Sequence, residues 1–144
     1  MTSPSVRNTA MDLLSRREHS RFELEQKLKS RGFESEEIDI ALDMLQAENL
    51  LNDERYAESY LHQRMLKGFG PLKIRHEMLE RGVASDIVEL QLEAMEDEWS
   101  ELMQQQREKK FGSQLPEPYQ ERMKQARFLQ NRGFSPEAVM RLFR

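Results

Sequence analysis

Apolar and polar residues along this chain alternate with the period of an α-helix, and the pattern occurs three times. Each repeat contains one glycine of a shared phrase, at Gly32, Gly82 and Gly133, so these glycines are 50 and 51 residues apart. Apolar residues kept at fixed offsets on both sides of a glycine predict two amphipathic helices that face one small core. The apolar positions are Phe22, Leu28, Ile38 and Leu42, then Leu72, Met78, Val88 and Leu92, then Met123, Leu129, Val139 and Phe143.

The residues around the three glycines predict where helices end and begin. An arginine precedes each glycine and an apolar residue follows it, which is typical of a helix C-terminus. There glycine adopts the left-handed conformation, and the cation favours the negative end of the helix dipole. Residues 20–23 form a capping-box pattern, and Pro71 is expected at a first helical position. Serines expected to cap the next helix are Ser35, Ser85 and Ser135.

A third amphipathic segment precedes each pair of helices, and no period-2 pattern of β-branched and aromatic residues competes with it. The chain is therefore predicted to be all-α, with three tandem three-helix repeats stacked into an elongated, curved array. Residues 112–118 add length to the last repeat, and we expect a surface loop there, with its two prolines stopping the preceding helix. The first helices are expected at residues 6–17, 52–67 and 97–110, and the repeats at 1–49, 50–96 and 97–144.

Composition excludes several classes of protein. The 144 residues include no Cys, so disulfide frameworks, thiolate nucleophiles and Cys-type zinc or iron–sulfur sites are excluded. Lys and Arg number 22 against 26 Asp and Glu, a net charge of −4 that does not fit a simple basic DNA-coating protein. Residues 1–5 lack a basic segment followed by an apolar run, and no apolar stretch is long enough to span a bilayer. We expect a cytoplasmic protein without a signal peptide or a membrane span.

The sequence offers no catalytic constellation. His19, His62 and His76 have no spacing that would place metal ligands on one helix face, so we interpret them as surface or helix-end residues. The nucleophile-elbow, Walker A and dinucleotide-binding glycine patterns are missing. We predict no catalytic residues, no metal and no cofactor.

Charge is distributed unevenly along the chain. Net charge is −3 in each of the first two repeats and +2 in the third. Salt-bridged, solvated helix faces explain much of this mixture. Cations nevertheless bunch on particular helices, and stacked repeats would align them into a basic stripe for binding. The candidate binding residues are Arg64, Lys67, Lys73, Arg75, Arg81, Arg107, Lys109, Lys110, Lys124, Arg127 and Arg132.

One stretch carries a family resemblance. Residues 50–60 (Leu-Leu-Asn-Asp-Glu-Arg-Tyr-Ala-Glu-Ser-Tyr), continuing through Gly70 to Arg-Gly-Val at 81–83, resemble the central signature of the RecX family, which regulates the RecA recombinase. Asn52 departs from the pattern, in which an acidic residue is more usual. The resemblance covers nearly the whole chain, and its flanking parts are residues 17–24 and 127–134.

The resemblance implies a non-enzymatic protein of DNA repair and recombination. Similar proteins bind RecA–DNA filaments and block their extension or promote their disassembly. They thereby lower ATP hydrolysis, strand exchange and the coprotease activity of the SOS response. We expect a RecA filament as partner, and possible direct contact with single- or double-stranded DNA that is weak and salt-dependent. No long heptad run requires a dimer, so a monomer is expected.

Two other functions stay open at this point. Two helices joined by a short glycine turn are similar to helix-turn-helix modules, whose second helix enters the DNA major groove. The helices that would do so here, at residues 35–46 and 85–95, are rich in Glu and Asp, which phosphates repel. DNA affinity would therefore come from the other helices and be independent of sequence. The third alternative is a helical scaffold unconnected to DNA.

Overall fold

The computed structural model describes residues 5–144, and every regular element in that range is helical. This confirms the all-α class and the three three-helix repeats, which we call triplets. None of these helices combines the length and the apolar character that crossing a bilayer requires. Residues 1–4, which bear on the signal-peptide expectation, lie outside the described range. The helices are α1 Val6–Arg16, α2 Arg21–Ser30, α3 Ser35–Ala47, α4 Asp53–Leu66, α5 Pro71–Glu80, α6 Ser85–Ala94, α7 Trp99–Phe111, α8 Tyr119–Asn131 and α9 Pro136–Leu142, with a 3₁₀ turn at Glu96–Glu98.

The described chain forms two compact units. The first unit consists of the described residues up to Tyr60 together with Met78–Val88, and the second unit consists of Leu61–Glu77 with Glu89–Arg144. The first triplet thus belongs to the first unit and the third triplet to the second unit, while each unit takes part of the middle triplet. The curvature of the array stays a prediction.

Each outer triplet has its own apolar core. In the first unit, α1, α2 and α3 all pack against one another because each turns an apolar face inward. In the second unit, the core of α7, α8 and α9 is smaller, and Trp99 and several other half-buried side chains complete it. The buried residues are Ala10, Leu13, Leu24, Leu28, Ile38, Leu42, Leu45 and Leu51 in the first core, and Met103, Ala126, Leu129, Phe134 and Val139 in the second.

The three repeat glycines form the same helix-ending turn. Gly32, Gly82 and Gly133 have φ values of 91°, 80° and 105°. In each turn the residue after the glycine donates its N–H to the carbonyl five residues earlier, at 3.2, 3.1 and 3.2 Å, and the glycine N–H bonds inside that ring. This is the Schellman pattern, which only a residue tolerant of positive φ allows.

The start of the third helix differs in one respect from the prediction. Ser135 is an N-cap whose hydroxyl accepts the Ala138 N–H at 3.1 Å, as expected. Ser35, however, is the first residue of α3, and Glu34 occupies the cap position without a side-chain hydrogen bond. The turn fixes the cap two residues after the glycine, so a serine three residues after it lies inside the helix. The predicted capping box at Ser20 and the helix start at Pro71 are both confirmed.

The apolar positions ten residues before the glycines do not belong to the cores. Phe22 and Leu72 are each 43% exposed. The buried positions lie two residues later, at Leu24 and Ile74, which are fully buried, and at Gln125 in the third triplet. Two positions along a helix correspond to a turn of about 200° around its axis, so the two rows lie on nearly opposite sides. The row ten residues before each glycine therefore lies away from the core.

The end of α7 also corrects a prediction. Gly112, with φ 91°, ends the helix, and its N–H donates to the Glu108 carbonyl at 2.8 Å. The helix therefore stops before either proline is reached, because glycine already supplies the C-terminal conformation. The following residues up to 118 have no regular secondary structure and are mostly exposed.

His19 is buried between α1 and α2 rather than on the surface. Its Nδ1 lies 3.1 Å from the Arg17 carbonyl oxygen, and its Nε2 lies 3.0 Å from Lys27 Nζ. Burial, together with the positive charges of Arg17 and Lys27, lowers the pKa of His19 from its ordinary value, although the Arg17 carbonyl and the Glu23 charge oppose the shift. The fold therefore favours the neutral form of this imidazole.

The glycine turns generate a first prediction. Ala at Gly32 or Gly133 is strained by about 1–2 kcal/mol in the left-handed conformation. A Cβ at Gly32 meets nothing within 4 Å, whereas at Gly133 it would lie 2.5 Å from Lys73 Cβ and 2.8 Å from the Lys73 amide nitrogen. Gly133→Ala should therefore lower the free energy of unfolding by about 1–3 kcal/mol more than Gly32→Ala. Urea unfolding followed by circular dichroism and Trp99 fluorescence measures both, and equal losses would contradict the close approach.

His19 generates a second prediction. Because its pKa is lower in the folded than in the unfolded chain, the unfolded chain binds the extra proton first, and stability should fall as the pH drops below about 6.5. His19→Gln, which cannot titrate, should flatten the dependence of unfolding free energy on pH between about 7.5 and 5.5. A dependence on pH as steep in His19→Gln as in the native chain would contradict this account.

Candidate functional site

An additional glycine turn follows α4 and positions an aromatic ring. Gly68 has φ 88°, and the N–H of Phe69 donates to the Arg64 carbonyl at 3.1 Å. This turn folds Phe69 back along the helix, so that Arg64 Cζ stacks 4.0 Å from the centre of the ring. The ring is half-buried.

Cations from α4, α5, α7 and the turn after α8 in the second unit converge on two rings. Besides Arg64, Lys73 Nζ lies 5.1 Å and Arg132 Cζ 4.8 Å from the centre of Phe69, distances at which a cation is attracted to an aromatic face. Arg132 also lies 5.5 Å from the centre of Phe128. We call this group the cation–aromatic cluster; its members are Arg64, Phe69, Lys73, Lys110, Phe111, Phe128 and Arg132.

The Phe128 side of the cluster is built by α7 and α8. Lys110 Nζ lies 5.7 Å from the centre of Phe128, and the Phe111 ring meets Phe128 edge-on at 5.3 Å. The edge-on pair fixes the ring's orientation, since the positive ring edge faces the negative ring face.

Backbone docking holds the parts of the cluster in register. The Gly70 N–H donates to the Arg132 carbonyl at 2.8 Å, and the Leu72 N–H donates to the Gly133 carbonyl at 2.9 Å. The start of α5 therefore rests on the glycine turn between α8 and α9. Gly70 and Gly133 approach so closely that a Cβ on either would overlap the other segment.

The first unit contains the same docking between its triplets. The Ser20 hydroxyl at the start of α2 donates to the Arg81 carbonyl at 2.6 Å. A Cβ on Gly82 would lie 2.3 Å from Phe22 Cβ. Phe22 and Leu72, the exposed residues ten positions before the glycine of their own triplet, thus lie at the contact with the glycine turn of the following triplet. This contact explains why both repeats have an apolar residue there.

The cluster carries uncompensated positive charge. Arg64 is neutralised by Glu77, whose two carboxylate oxygens accept at 2.9 and 2.8 Å. Arg132 donates to the neutral Gln106 at 3.2 Å, and its Nε has no hydrogen-bond partner among the residues that the structure describes. Within residues 5–144, neither Lys73 nor Lys110 takes part in an ion pair. An anion that reaches the cluster would therefore meet several cations and a single neighbouring carboxylate, that of Glu77.

Arg75, in contrast, is paired outside the cluster. Its guanidinium donates to both oxygens of Glu89 at 2.7 and 3.1 Å. These hydrogen bonds are the main reason that the pKa of Glu89 is lowered from its ordinary value. The pair is exposed enough for solvent to screen it, and its net charge is zero at neutral pH.

Comparisons with known proteins match each triplet to one family. Residues 7–45 match the first three-helix domain of RecX, residues 52–90 the second and residues 96–143 the third. The chain belongs to the RecX family.

Individual RecX proteins are similar to this chain over nearly its full length. The regulatory protein RecX of Pseudomonas fluorescens strain SBW25 is 45% identical over 141 residues, which is 98% of this chain and 91% of the relative. The RecX of Pseudomonas putida strain KT2440 is 43% identical over 98% of this chain and 90% of its own. The crystal structure of RecX from Lactobacillus salivarius is 26% identical and superposes with a TM-score of 0.80, covering 96% of this chain and 94% of its own.

The fold of this RecX chain brings together only some of the candidate cations. All of them except Arg81 belong to the second unit, and four of those join the cation–aromatic cluster. Arg81 belongs to the first unit, where its Cζ lies 4.9 Å from the centre of the Tyr60 ring. The exposed candidates that the structure does not place at the two rings are Lys67, Lys109, Lys124 and Arg127.

Arg107 has a different position from the one expected of a binding residue. It is only 2% exposed. Its guanidinium donates to the carbonyls of Ser113 and Gln114, at 3.2 and 3.4 Å, and to Gln125 Oε1 at 3.3 Å. Gln125 occupies the position that holds a buried leucine or isoleucine in the other triplets. Arg107 therefore ties the loop after α7 to α8 and is not accessible to a partner.

Sequence reasoning did not identify the aromatic half of the site. Neither Phe69 nor Phe128 belongs to a recognisable motif, because in the sequence each is one more apolar residue of a helical pattern. The available signal was the aromatic residue next to a glycine turn and among cations, which Arg64, Lys67 and Lys73 provide around Phe69. Within residues 5–144, no group of three or more His, Asp and Glu side chains is placed to hold a metal ion.

Arg107 generates the third prediction. Arg107→Ala removes the donor for three acceptors and leaves a void, so it should lower the free energy of unfolding by about 2–4 kcal/mol. Lys109→Ala, two residues away and exposed, should change it by no more than about 0.5 kcal/mol. Urea unfolding followed by Trp99 fluorescence is the measurement. Equal stability of the two variants would show that Arg107 does not organise the loop.

Proposed function

We propose that this chain is a non-enzymatic regulator of the RecA recombinase. It binds RecA–DNA filaments and blocks their extension or promotes their disassembly, which lowers ATP hydrolysis, strand exchange and coprotease activity. Its family supports this proposal, because the relatives are named regulatory proteins. In this role it acts in the cytoplasm, as a monomer without a cofactor, in DNA recombination, repair and the SOS response.

The observation that carries the proposal is the cation–aromatic cluster. A nucleoprotein filament presents phosphates and acidic side chains, and the cluster offers positive charge together with two half-buried rings. Charges so arranged raise the rate of encounter and set the register of binding more than they set the final affinity. The binding residues are Arg64, Lys73, Lys110 and Arg132 in the cluster, with Lys67, Arg75, Arg81, Lys109, Lys124 and Arg127 as outlying contacts.

Binding through many weak contacts is well suited to a filament. Successive protomers of a filament repeat the same surface, so binding by one triplet raises the effective concentration of the others at the neighbouring sites. Such binding can be tight overall although each contact is weak, and a chain bound across protomers hinders the addition or rearrangement of subunits.

The second candidate function is direct, sequence-independent binding of nucleic acid. The same cluster supports it, because aromatic faces stack on bases and cations neutralise phosphates. Major-groove reading by a third helix is disfavoured, since α3 and α6 contain no Lys or Arg. Affinity for bare DNA would then be strongly salt-dependent.

The test is RecA's DNA-dependent ATPase with increasing amounts of the chain. Inhibition well below one chain per protomer would indicate blocking at growing filament ends, and inhibition only near saturation would indicate lateral coating. Parallel titrations with bare single- and double-stranded DNA separate the two functions. A regulator requires preferential binding to the filament, whereas equal affinity for both would favour the nucleic-acid-binding module.

The cluster generates the fourth prediction. Lys73→Gln with Lys110→Gln removes two charges that have no ion-pair partner within residues 5–144. The concentration for half-inhibition should rise about 5–30-fold at low salt, from about 0.5–1 kcal/mol per ion pair with the partner, and the difference should shrink as salt screens the native charges. Lys29→Gln, an exposed change in the first unit, is the control. Unchanged inhibition by the double variant across the salt series would exclude the cluster as the contact.

A further inference from the structure

The outward face of α3 in the first unit combines exposed apolar side chains with acidic ones. Ile40 is 64% exposed and Met44, one turn later, is 50% exposed, although the opposite face of the same helix is fully packed. Single exposed apolar residues are ordinary on protein surfaces, but two stacked on one helix face form a continuous patch. The thirteen residues of α3 include four acidic and no basic side chains: Glu36, Glu37, Asp39 and Asp43.

Part of this acidity is already compensated and part is not. Arg21 from α2 lies 3.6 Å from Asp39 and 2.7 Å from Asp43, which remain 64% and 70% exposed. Within the described part of the chain, Glu36 and Glu37 form no ion pair. The Ile40–Met44 patch therefore lies beside a net negative charge.

The same surface pattern occurs on the equivalent helix of the middle triplet. Leu90, eight residues after Gly82 as Ile40 is eight after Gly32, is 66% exposed. Acidic residues recur at the same three offsets in both helices, four, seven and eleven residues after the glycine. The third triplet has Arg141 and Arg144 at the eighth and eleventh offsets instead. Core packing does not require this recurrence, because these positions face solvent.

The charge decides which class of partner fits. DNA is excluded, because its phosphates would meet the acidic side chains that flank the patch. A second copy presenting the same face would bring acidic residues against acidic residues. What complements the patch is a protein surface with an apolar pocket or side chain bordered by Lys or Arg.

We propose that the acid-flanked patch on α3, anchored by Ile40 and Met44, docks on a basic and apolar protein surface. This inference rests on the proposed function, in which the partner bearing that surface is the RecA protomer. The chain then contacts the filament in two ways: α3 holds the protein, and the cation–aromatic cluster of the second unit takes the anionic groups.

The test compares Ile40→Arg with the full-length native chain in two binding assays, one with RecA filaments assembled on single-stranded DNA and one with the bare DNA. Ile40→Arg places a cation in the centre of the patch and should weaken filament binding roughly tenfold or more, as loss of an interface anchor does. Affinity for bare DNA should stay within about twofold, because the patch does not touch nucleic acid. Met11→Arg, the introduction of the same cation at a residue 39% exposed on α1 of the same unit, should leave filament binding unchanged.

A second variant keeps the test independent of folding. Glu36→Gln with Glu37→Gln retains the shape of the side chains and should weaken filament binding about threefold or more at low salt, with less effect at high salt. Leu90→Arg tests the equivalent helix in the same assays. Circular dichroism melting of each variant confirms that it folds.

The outcomes separate the inference from the proposed function. If the native chain does not bind filaments preferentially, the proposed function fails. If the native chain binds but Ile40→Arg and the double Gln variant bind equally well, the docking surface is overturned while the proposed function stands. Equal loss of bare-DNA binding by Ile40→Arg also overturns it. The docking surface is also overturned if the native chain self-associates in sedimentation and Ile40→Arg abolishes this self-association without changing filament binding.

Discussion

The contact on which both units depend is the seating of one helix start on the next glycine turn. In the first unit the start of α2 rests on the turn at Gly82, and in the second unit the start of α5 rests on the turn at Gly133. The turn offers free carbonyl groups and no Cβ, and the helix start offers N–H or hydroxyl donors that have no partner in their own helix. Each interaction satisfies polar groups that burial would otherwise leave unpaired.

This contact also explains the position of the candidate site. Hydrogen bonds from Gly70 and Leu72 to the turn bring Lys73 next to Arg132, and both then lie over Phe69. The cluster is therefore a consequence of how triplets join, and no single triplet contains it. Within residues 5–144, the cluster cations other than Arg64 have no carboxylate partner, whereas cations such as Arg21, Arg55 and Arg75 pair with nearby carboxylates.

The two units differ in the surfaces they offer. The second unit holds nearly all of the candidate cations and all the rings of the cluster, whereas the first unit contains α3, which is acidic and partly apolar on its outer face. In the proposed function these two surfaces meet different parts of a filament. Buried Arg107 and His19 serve the fold instead, since both lie in the interior.

The sequence by itself determined the helices, the three glycine turns and the family, because these depend on local periodicity, on the positive φ that glycine allows and on an ordered signature. It also identified the candidate cations, but not the residues that each of them contacts. Only the tertiary structure decided that Arg107 is buried, that Phe22 and Leu72 contact the following turn, and that four cations surround Phe69 and Phe128. Those outcomes depend on contacts between residues up to about sixty positions apart, and a helical pattern records which face is apolar but not what that face meets.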